Sequence, residues 1–264
     1  MNINDIRSYK ERGERFAMLT AYDYAMASAL DAAGIPLLLV GDTLGIFVQG
    51  HCTTLPVTLD DIIYHCRLVV RGARNALVVG DMPFGSYATL DDGIHNAIRV
   101  MKEGGAQAVK IEGAKFDLVE RLTELGIPVM GHLGLTPQSY HQLGGNKVQA
   151  RTSEAVDGLV RDARSLERAG AFSVVLEAIP TAAAQLVTAA LHIPTIGIGA
   201  GPQCDAQVLV SSEMLGLSDG PSPRFAKRYA ELRQIISAAA RSFADEVSGG
   251  SYPDEAHSYN WALR

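Results

Sequence analysis

Four apolar runs in this chain each finish on a carboxylate: IPLLLVGD (35–42), ALVVGD (76–81), AVKIE (108–112) and FSVVLE (172–177). Runs this short, rich in Val, Ile and Leu and bounded by Gly or Pro, read as strands buried on both faces. Stretches of helical periodicity lie between them. That alternation specifies a parallel α/β sheet, and such sheets bind ligands beyond the carboxyl ends of their strands. Asp42, Asp81, Glu112 and Glu177 are therefore expected to face one pocket. Any one of them would serve equally well to cap the helix that follows, but four converging acids call for a cation or a proton.

The remaining runs extend the pattern. RFAMLTAYD (15–23) reads as a first strand, YAMASALDAAG (24–34) as a helix stopped by Gly34, and LDDIIYHCRLVVRGA (59–73) as a helix with an acidic first turn. PVMGHLG (128–134), IPTIGIGAG (193–201) and a weaker QVLVSSEMLGL (207–217) complete eight strand-like runs. Helices are expected at 116–124, 154–171 and over TAAAQLVTAAL, with another before Gly104-Gly105. Eight strand–helix repeats in about 250 residues specify a (β/α)8 TIM barrel, taken here as a single domain over 1–264 with a short polar N-terminal segment and a polar C-terminal tail. A doubly wound open sheet is the alternative, but it would carry a nucleotide fingerprint after the first strand, which TAYDYAMA lacks. Two connections exceed the usual length: 43–58, a candidate active-site loop, and 135–153, a candidate lid or substrate loop.

Composition excludes several classes. A formal net charge of −6 offers no footprint for nucleic acid or an anionic membrane, and no apolar run approaches the ~20 residues that span a bilayer. The opening MNINDIRSYKERGERF has no apolar core of a secretory signal, and three cysteines (Cys52, Cys66, Cys204) lack CxxC spacing. A cytoplasmic protein with structural thiols is expected.

The chemistry is read from what stands near the acids. Lys110 precedes Glu112 by two residues and so points to the same side, where a lysine is costly unless paired. It would neutralise the acids, hold a substrate carboxylate, or form a Schiff base; neighbouring acids oppose the last by keeping it protonated. His132, at the end of the fifth strand, is either a proton-handling group or a satisfied structural residue. GIGAG (197–201 with its preceding Ile) resembles a barrel phosphate turn, although glycine also serves tight turns with no ligand. No Walker loop, HExxH or GxSxG is present, and oxygen-only ligands favour Mg2+ first and Mn2+ second. The residues by themselves describe a metal-assisted barrel enzyme acting on a small oxyanionic substrate through an enolate.

TAYDY (20–24), GDTLG (41–45), VQGHCTTLPVT (48–58), GDMPFGSY (80–87), VKIEG (109–113), GHLGLTPQS (131–139), GGNKVQAR (144–151), LEAIP (176–180), IGIGAG (196–201) and FAKRY (225–229) stand in the order that resembles the ketopantoate hydroxymethyltransferase family. The resemblance implies transfer of a one-carbon unit from 5,10-methylenetetrahydrofolate to 3-methyl-2-oxobutanoate, giving 2-dehydropantoate, with Mg2+ as cofactor. It implies that Asp42 and Asp81 are metal-binding aspartates that also face the substrate, and that Glu112 is the metal-site glutamate. By the same resemblance Thr43, Lys110 and His132 line the substrate and Glu177 is the base. A cytoplasmic homo-oligomer, decameric in the family, acting on small molecules is implied as well. Ser212-Glu213 departs from the His-Asp common in relatives. The rival class is the phosphoenolpyruvate mutase/isocitrate lyase type, which also places Mg2+ and carboxylates at the mouth of a barrel; the catalytic Cys loop of its isocitrate lyase branch has no KKCG-like counterpart here. An inactive barrel kept for binding is opposed by the complete acid set, which is costly to hold together.

Overall fold

The structure, a computed structural model, describes residues 1–218, 220 and 222–259. Eight parallel strands close on themselves: β1 (Phe16–Thr20), β2 (Leu37–Val40), β3 (Leu77–Asp81), β4 (Ala108–Glu112), β5 (Val129–Gly134), β6 (Ser173–Glu177), β7 (Thr195–Ile198) and β8 (Ala206–Leu209). Each pairs with its successor, and β8 returns to β1 through Phe16↔Ala206 to Leu19↔Leu209. The expected (β/α)8 TIM barrel is what the chain forms.

Between the strands run α2 (Tyr24–Ala32), α4 (Leu59–Gly72), α5 (Leu90–Lys102), α6 (Phe116–Glu124), α8 (Ser153–Arg168) and α9 (Thr181–Ala190). A helix α1 (Ile3–Glu11) precedes β1, and the single turns α3 (Leu44–Phe47) and α7 (Tyr140–Leu143) stand in the connections after β2 and β5. Local chemistry explains the starts. Thr58 accepts the Asp61 N–H while the Asp61 carboxylate takes the Thr58 N–H, a reciprocal cap on α4; Asp23, Thr89 and Thr152 cap α2, α5 and α8.

The polar-looking N-terminal segment is helix α1, and it closes the lower end of the barrel. Ile6 is fully buried with Phe172, and Tyr9 stacks at 4.8 Å on Phe16. Burying a side chain such as Ile6 or Phe172 contributes roughly 1.5–3 kcal/mol. One apolar residue per turn sufficed for this role, too thin a stripe for periodicity to show.

The eighth strand is shorter than expected. After Leu209 the backbone turns into a helical turn, α10 (Ser211–Met214), because Ser211 N–H is taken by the Thr20 hydroxyl at 3.0 Å instead of a ladder partner. The barrel lies in a compact unit, Met1–Ser211; residues from Ser212 form a second unit. That second unit contains α11 (Leu232–Ser248), a helix the sequence reading did not anticipate, with its first turn tied by Leu232 N–H to Leu215 O at 2.9 Å. Of the expected polar tail, 260–264 lie outside the described residues.

Candidate active site

Parity along each strand carries charge to the mouth of the barrel. The inward positions run Leu77, Val79, Asp81 on β3; Ala108, Lys110, Glu112 on β4; Met130, His132 on β5; and Val175, Glu177 on β6. Lower positions are apolar and fill the interior, while the uppermost are ionisable. Strand register places Asp81 beside Lys110 and Glu112 beside His132. Asp42 arrives differently, from the turn after β2, where Gly45 N–H bonds to Asp42 O and Asp42 N–H donates to Asp81 Oδ2 at 3.1 Å. Thr43 follows, its hydroxyl 2.8 Å from that of Tyr22. All seven candidate residues (Asp42, Thr43, Asp81, Lys110, Glu112, His132 and Glu177) line one cavity of about 50 Å3, with Met18, Leu39 and Val208 among its apolar lining.

Inside, charge is unevenly matched. Lys110 Nζ lies 2.8 Å from Asp81 Oδ1 and 3.6 Å from Glu112 Oε1. Burial works against the ammonium, but Asp81, Glu112 and Asp42 outweigh it and raise its pKa. Of the three roles open to this lysine, neutralising the acids is the one its contacts show, and a lysine so held is not a free amine. Burial, then the charges of Asp81 and Glu112, push Asp42 well above the usual carboxylate range. Asp81 is raised by burial despite Lys110, whereas Glu112 is brought below its ordinary value by Lys110 and His132 against the effect of burial. His132 bridges two acids, with Nδ1 3.3 Å from Glu112 Oε1 and Nε2 3.3 Å from Glu177 Oε2. Burial and Lys110 would lower its pKa, yet the two glutamates prevail and raise it to about 9, which makes it an imidazolium near neutral pH.

The donor set suits a hard divalent cation. Asp81 Oδ1 and Glu112 Oε1 are buried without a well-directed hydrogen bond, and Asp42 carries a carboxyl group that its surroundings leave short of positive charge. Among the described residues no three His, Cys, Asp or Glu side chains form a ready-made metal cage. Mg2+ rarely needs one, since it is commonly held by one or two carboxylates with substrate and water completing its octahedron.

Three residues at the site were not singled out by sequence. Gln138 is buried and reaches Asp42, Met82 O and the Tyr87 hydroxyl. Tyr22 steadies Thr43. Their only sequence signal was position inside the stretches GHLGLTPQS, GDMPFGSY and TAYDY, because a lone polar residue in a loop has no periodicity. The long loop 135–153 is partly ordered into Pro137–Ser139 and α7, and its first residues enter the site. The GIGAG turn has a packing explanation: a Cβ on Gly201, at φ +78°, would meet Thr181 Oγ1 at 2.2 Å.

The chain is similar to known proteins over nearly its whole length. The model of the ketopantoate hydroxymethyltransferase family matches residues 1–255. A 3-methyl-2-oxobutanoate hydroxymethyltransferase of Gluconacetobacter diazotrophicus is 56% identical over 256 residues, covering 96% of this chain and 92% of the relative. That of Syntrophus aciditrophicus is 52% identical over 257 residues, covering 96% and 94%. Among solved structures, a phosphoenolpyruvate phosphomutase of Streptomyces platensis superposes with TM-score 0.61 at 15% identity over 95% of this chain and 88% of its own. A phosphonopyruvate hydrolase, solved with oxalate and Mg2+, gives 0.61 at 12% over 97% and 93%. At such identities the likeness is one of fold.

Proposed function

This chain belongs to the ketopantoate hydroxymethyltransferase family, and from that premise we propose how its own residues divide the labour of moving a one-carbon unit from 5,10-methylenetetrahydrofolate to 3-methyl-2-oxobutanoate. Glu177 is the base. The observation that carries this is its exposure: its side chain is 17% exposed, against 1% for Asp81 and 3% for Glu112, so it is the acid open to an incoming substrate. Its Oε2 rests against the charged His132, which orients the carboxylate. His132, already protonated, is a positioning cation and not the first proton acceptor.

Glu177 takes the C3 proton of the keto acid, and the C–H electron pair becomes the enolate. The enolate carbon bonds to the folate methylene as one of its two carbon–nitrogen bonds breaks, that electron pair returning to nitrogen, which takes a proton; water then displaces the second nitrogen, which is protonated in turn, supplying the hydroxyl of 2-dehydropantoate and releasing tetrahydrofolate. Asp42 and Asp81 would hold Mg2+, with Glu112 behind them. The ion would supply Lewis acidity, withdrawing charge from the keto oxygen and stabilising the enolate. Thr43, on its tight turn, offers a hydroxyl and backbone N–H to the keto acid. Lys110 holds the acids together and presents its remaining donor capacity to the substrate carboxylate.

The 264 residues are taken as one catalytic domain, working in the cytoplasm as a homo-oligomer that is a decamer by resemblance to the family. No helix among the described residues is long and apolar enough to cross a membrane.

The division of labour is tested by hydrogen exchange. With Mg2+ and without folate, the wild type is expected to exchange the C3 hydrogen of 3-methyl-2-oxobutanoate for deuterium in D2O. Glu177→Gln should lose about 10²–10⁴-fold of that rate while still binding metal. Exchange at the wild-type rate in the variant would remove Glu177 from the role and make another group the base.

A further inference from the structure

The acids at the mouth are held by a residue from the opposite side of the barrel. Gln138 follows β5, yet its carboxamide lies among the ends of β2 and β3, and the residue is 6% exposed. Its Nε2 donates to Asp42 Oδ2 at 3.1 Å and to Met82 O at 2.9 Å, and its Oε1 accepts the Tyr87 hydroxyl. Its backbone N–H donates to Glu112 Oε2 at 3.0 Å. A carbonyl only accepts, so the amino end of the carboxamide must face Met82 O. That leaves the carbonyl end for the tyrosine. Both amide protons and the amide oxygen are thus satisfied, and a buried polar network so satisfied holds its members in one orientation.

One of these bonds is more than loop anchorage. Met82 O, Tyr87 and the Glu112 contact would tether the loop without any bond to Asp42. The Lys110 ammonium lies against Asp81 and Glu112, so the directed side-chain donor to Asp42 comes from Gln138. Donation to Oδ2 constrains the plane of the Asp42 carboxylate and leaves Oδ1 outside that bond.

We propose that Gln138, itself gripped by Tyr87, is the positioning residue for Asp42 and sets the affinity of the site for its divalent cation. This rests on the reading of Asp42 as a metal ligand. Residues that hydrogen-bond a ligating carboxylate typically contribute 10–100-fold to metal affinity or activity, and that is the effect expected here.

The test is direct binding of Mn2+ to the substrate-free protein, followed by the electron spin resonance of the free ion, in the wild type, Gln138→Met, Tyr87→Phe and Asp42→Asn. Gln138→Met keeps the length of the side chain and the backbone N–H that serves Glu112, and removes only the carboxamide. It is expected to weaken Mn2+ binding about 10–100-fold, and Tyr87→Phe by a smaller factor in the same direction. A loop anchor with no part in positioning would lower the melting temperature in both variants and leave Mn2+ affinity within twofold of wild type. That outcome overturns the proposal. Should Gln138→Met not fold, Tyr87→Phe decides alone, and unchanged affinity there overturns the proposal equally. Asp42→Asn separates the two readings: if it binds Mn2+ as the wild type does, the metal assignment fails; if it loses binding while Gln138→Met keeps it, only the role of Gln138 fails.

Discussion

Replacing Lys110 by methionine tests whether charge compensation holds the mouth of the barrel together. Lys110 is 4% exposed, with Asp81 at 2.8 Å and Glu112 at 3.6 Å. At an effective dielectric near 20, Coulomb's law assigns those contacts roughly 6 and 5 kcal/mol of attraction. Desolvating each ion costs several kcal/mol, so the pairs contribute far less than that sum. Removing one partner is another matter, because it leaves buried carboxylates facing one another with the penalty intact. The expected loss is about 3–5 kcal/mol. For a chain of this size that corresponds to a melting temperature lower by roughly 6–20 °C. The measurement is urea and thermal unfolding in EDTA, at matched protein concentration because association shifts apparent stability. The double variant Lys110→Met/Asp81→Asn should recover about 0.5–3 kcal/mol relative to additivity, since it removes an acid along with its cation. A Lys110→Met protein within ~1 kcal/mol of wild type, a tenth or so of total stability, or a strictly additive double variant would refute the reasoning.

Two further perturbations follow from the geometry. Gly134 sits at φ +93°, and a Cβ there would meet Glu177 O at 2.3 Å. Gly134→Ala is therefore expected to cost about 1–3 kcal/mol through backbone strain and to reduce turnover about 10²-fold by displacing Glu177; near-normal kinetics would show that the end of β6 yields freely. Asp31 accepts from Asn75 N, Asn75 Nδ2 and Ala76 N at 2.9, 2.9 and 2.7 Å, tying α2 to the start of β3. Burial opposes its charge, but these donors hold its pKa below the usual carboxylate value. Its contribution of about 1.5–3 kcal/mol is thus present above the unfolded-state pKa near 3.9 and is lost as pH falls through the lower folded-state value. The stability gap between wild type and Asp31→Ala should be full at pH 6 and close in strong acid, as read by urea unfolding across pH.

Local sequence determined a good deal. Short continuous apolar runs bounded by Gly or Pro, with helical periodicity between them, a glycine stop at Gly34 and an acidic first turn after Thr58, were enough to specify eight strands and most of the helices between them. Position at strand ends put Asp81, Glu112, His132 and Glu177 at one mouth, and the alternation of side chains put Lys110 on the side of Glu112. What periodicity could not reach were features without a repeat. Ile6 closes the barrel as a single buried side chain in a polar helix. The helix at Leu232–Ser248 does carry an amphipathic repeat and was overlooked, although none of its residues is buried. Gln138 meets Asp42 across a separation of 96 residues, in a loop whose course no neighbouring residue dictates. Closure of the barrel decided that encounter. Register between neighbouring strands, which only the folded sheet sets, brings Lys110 to 2.8 Å from Asp81 and His132 to 3.3 Å from both Glu112 and Glu177, so that charges separated in sequence compensate one another at the mouth.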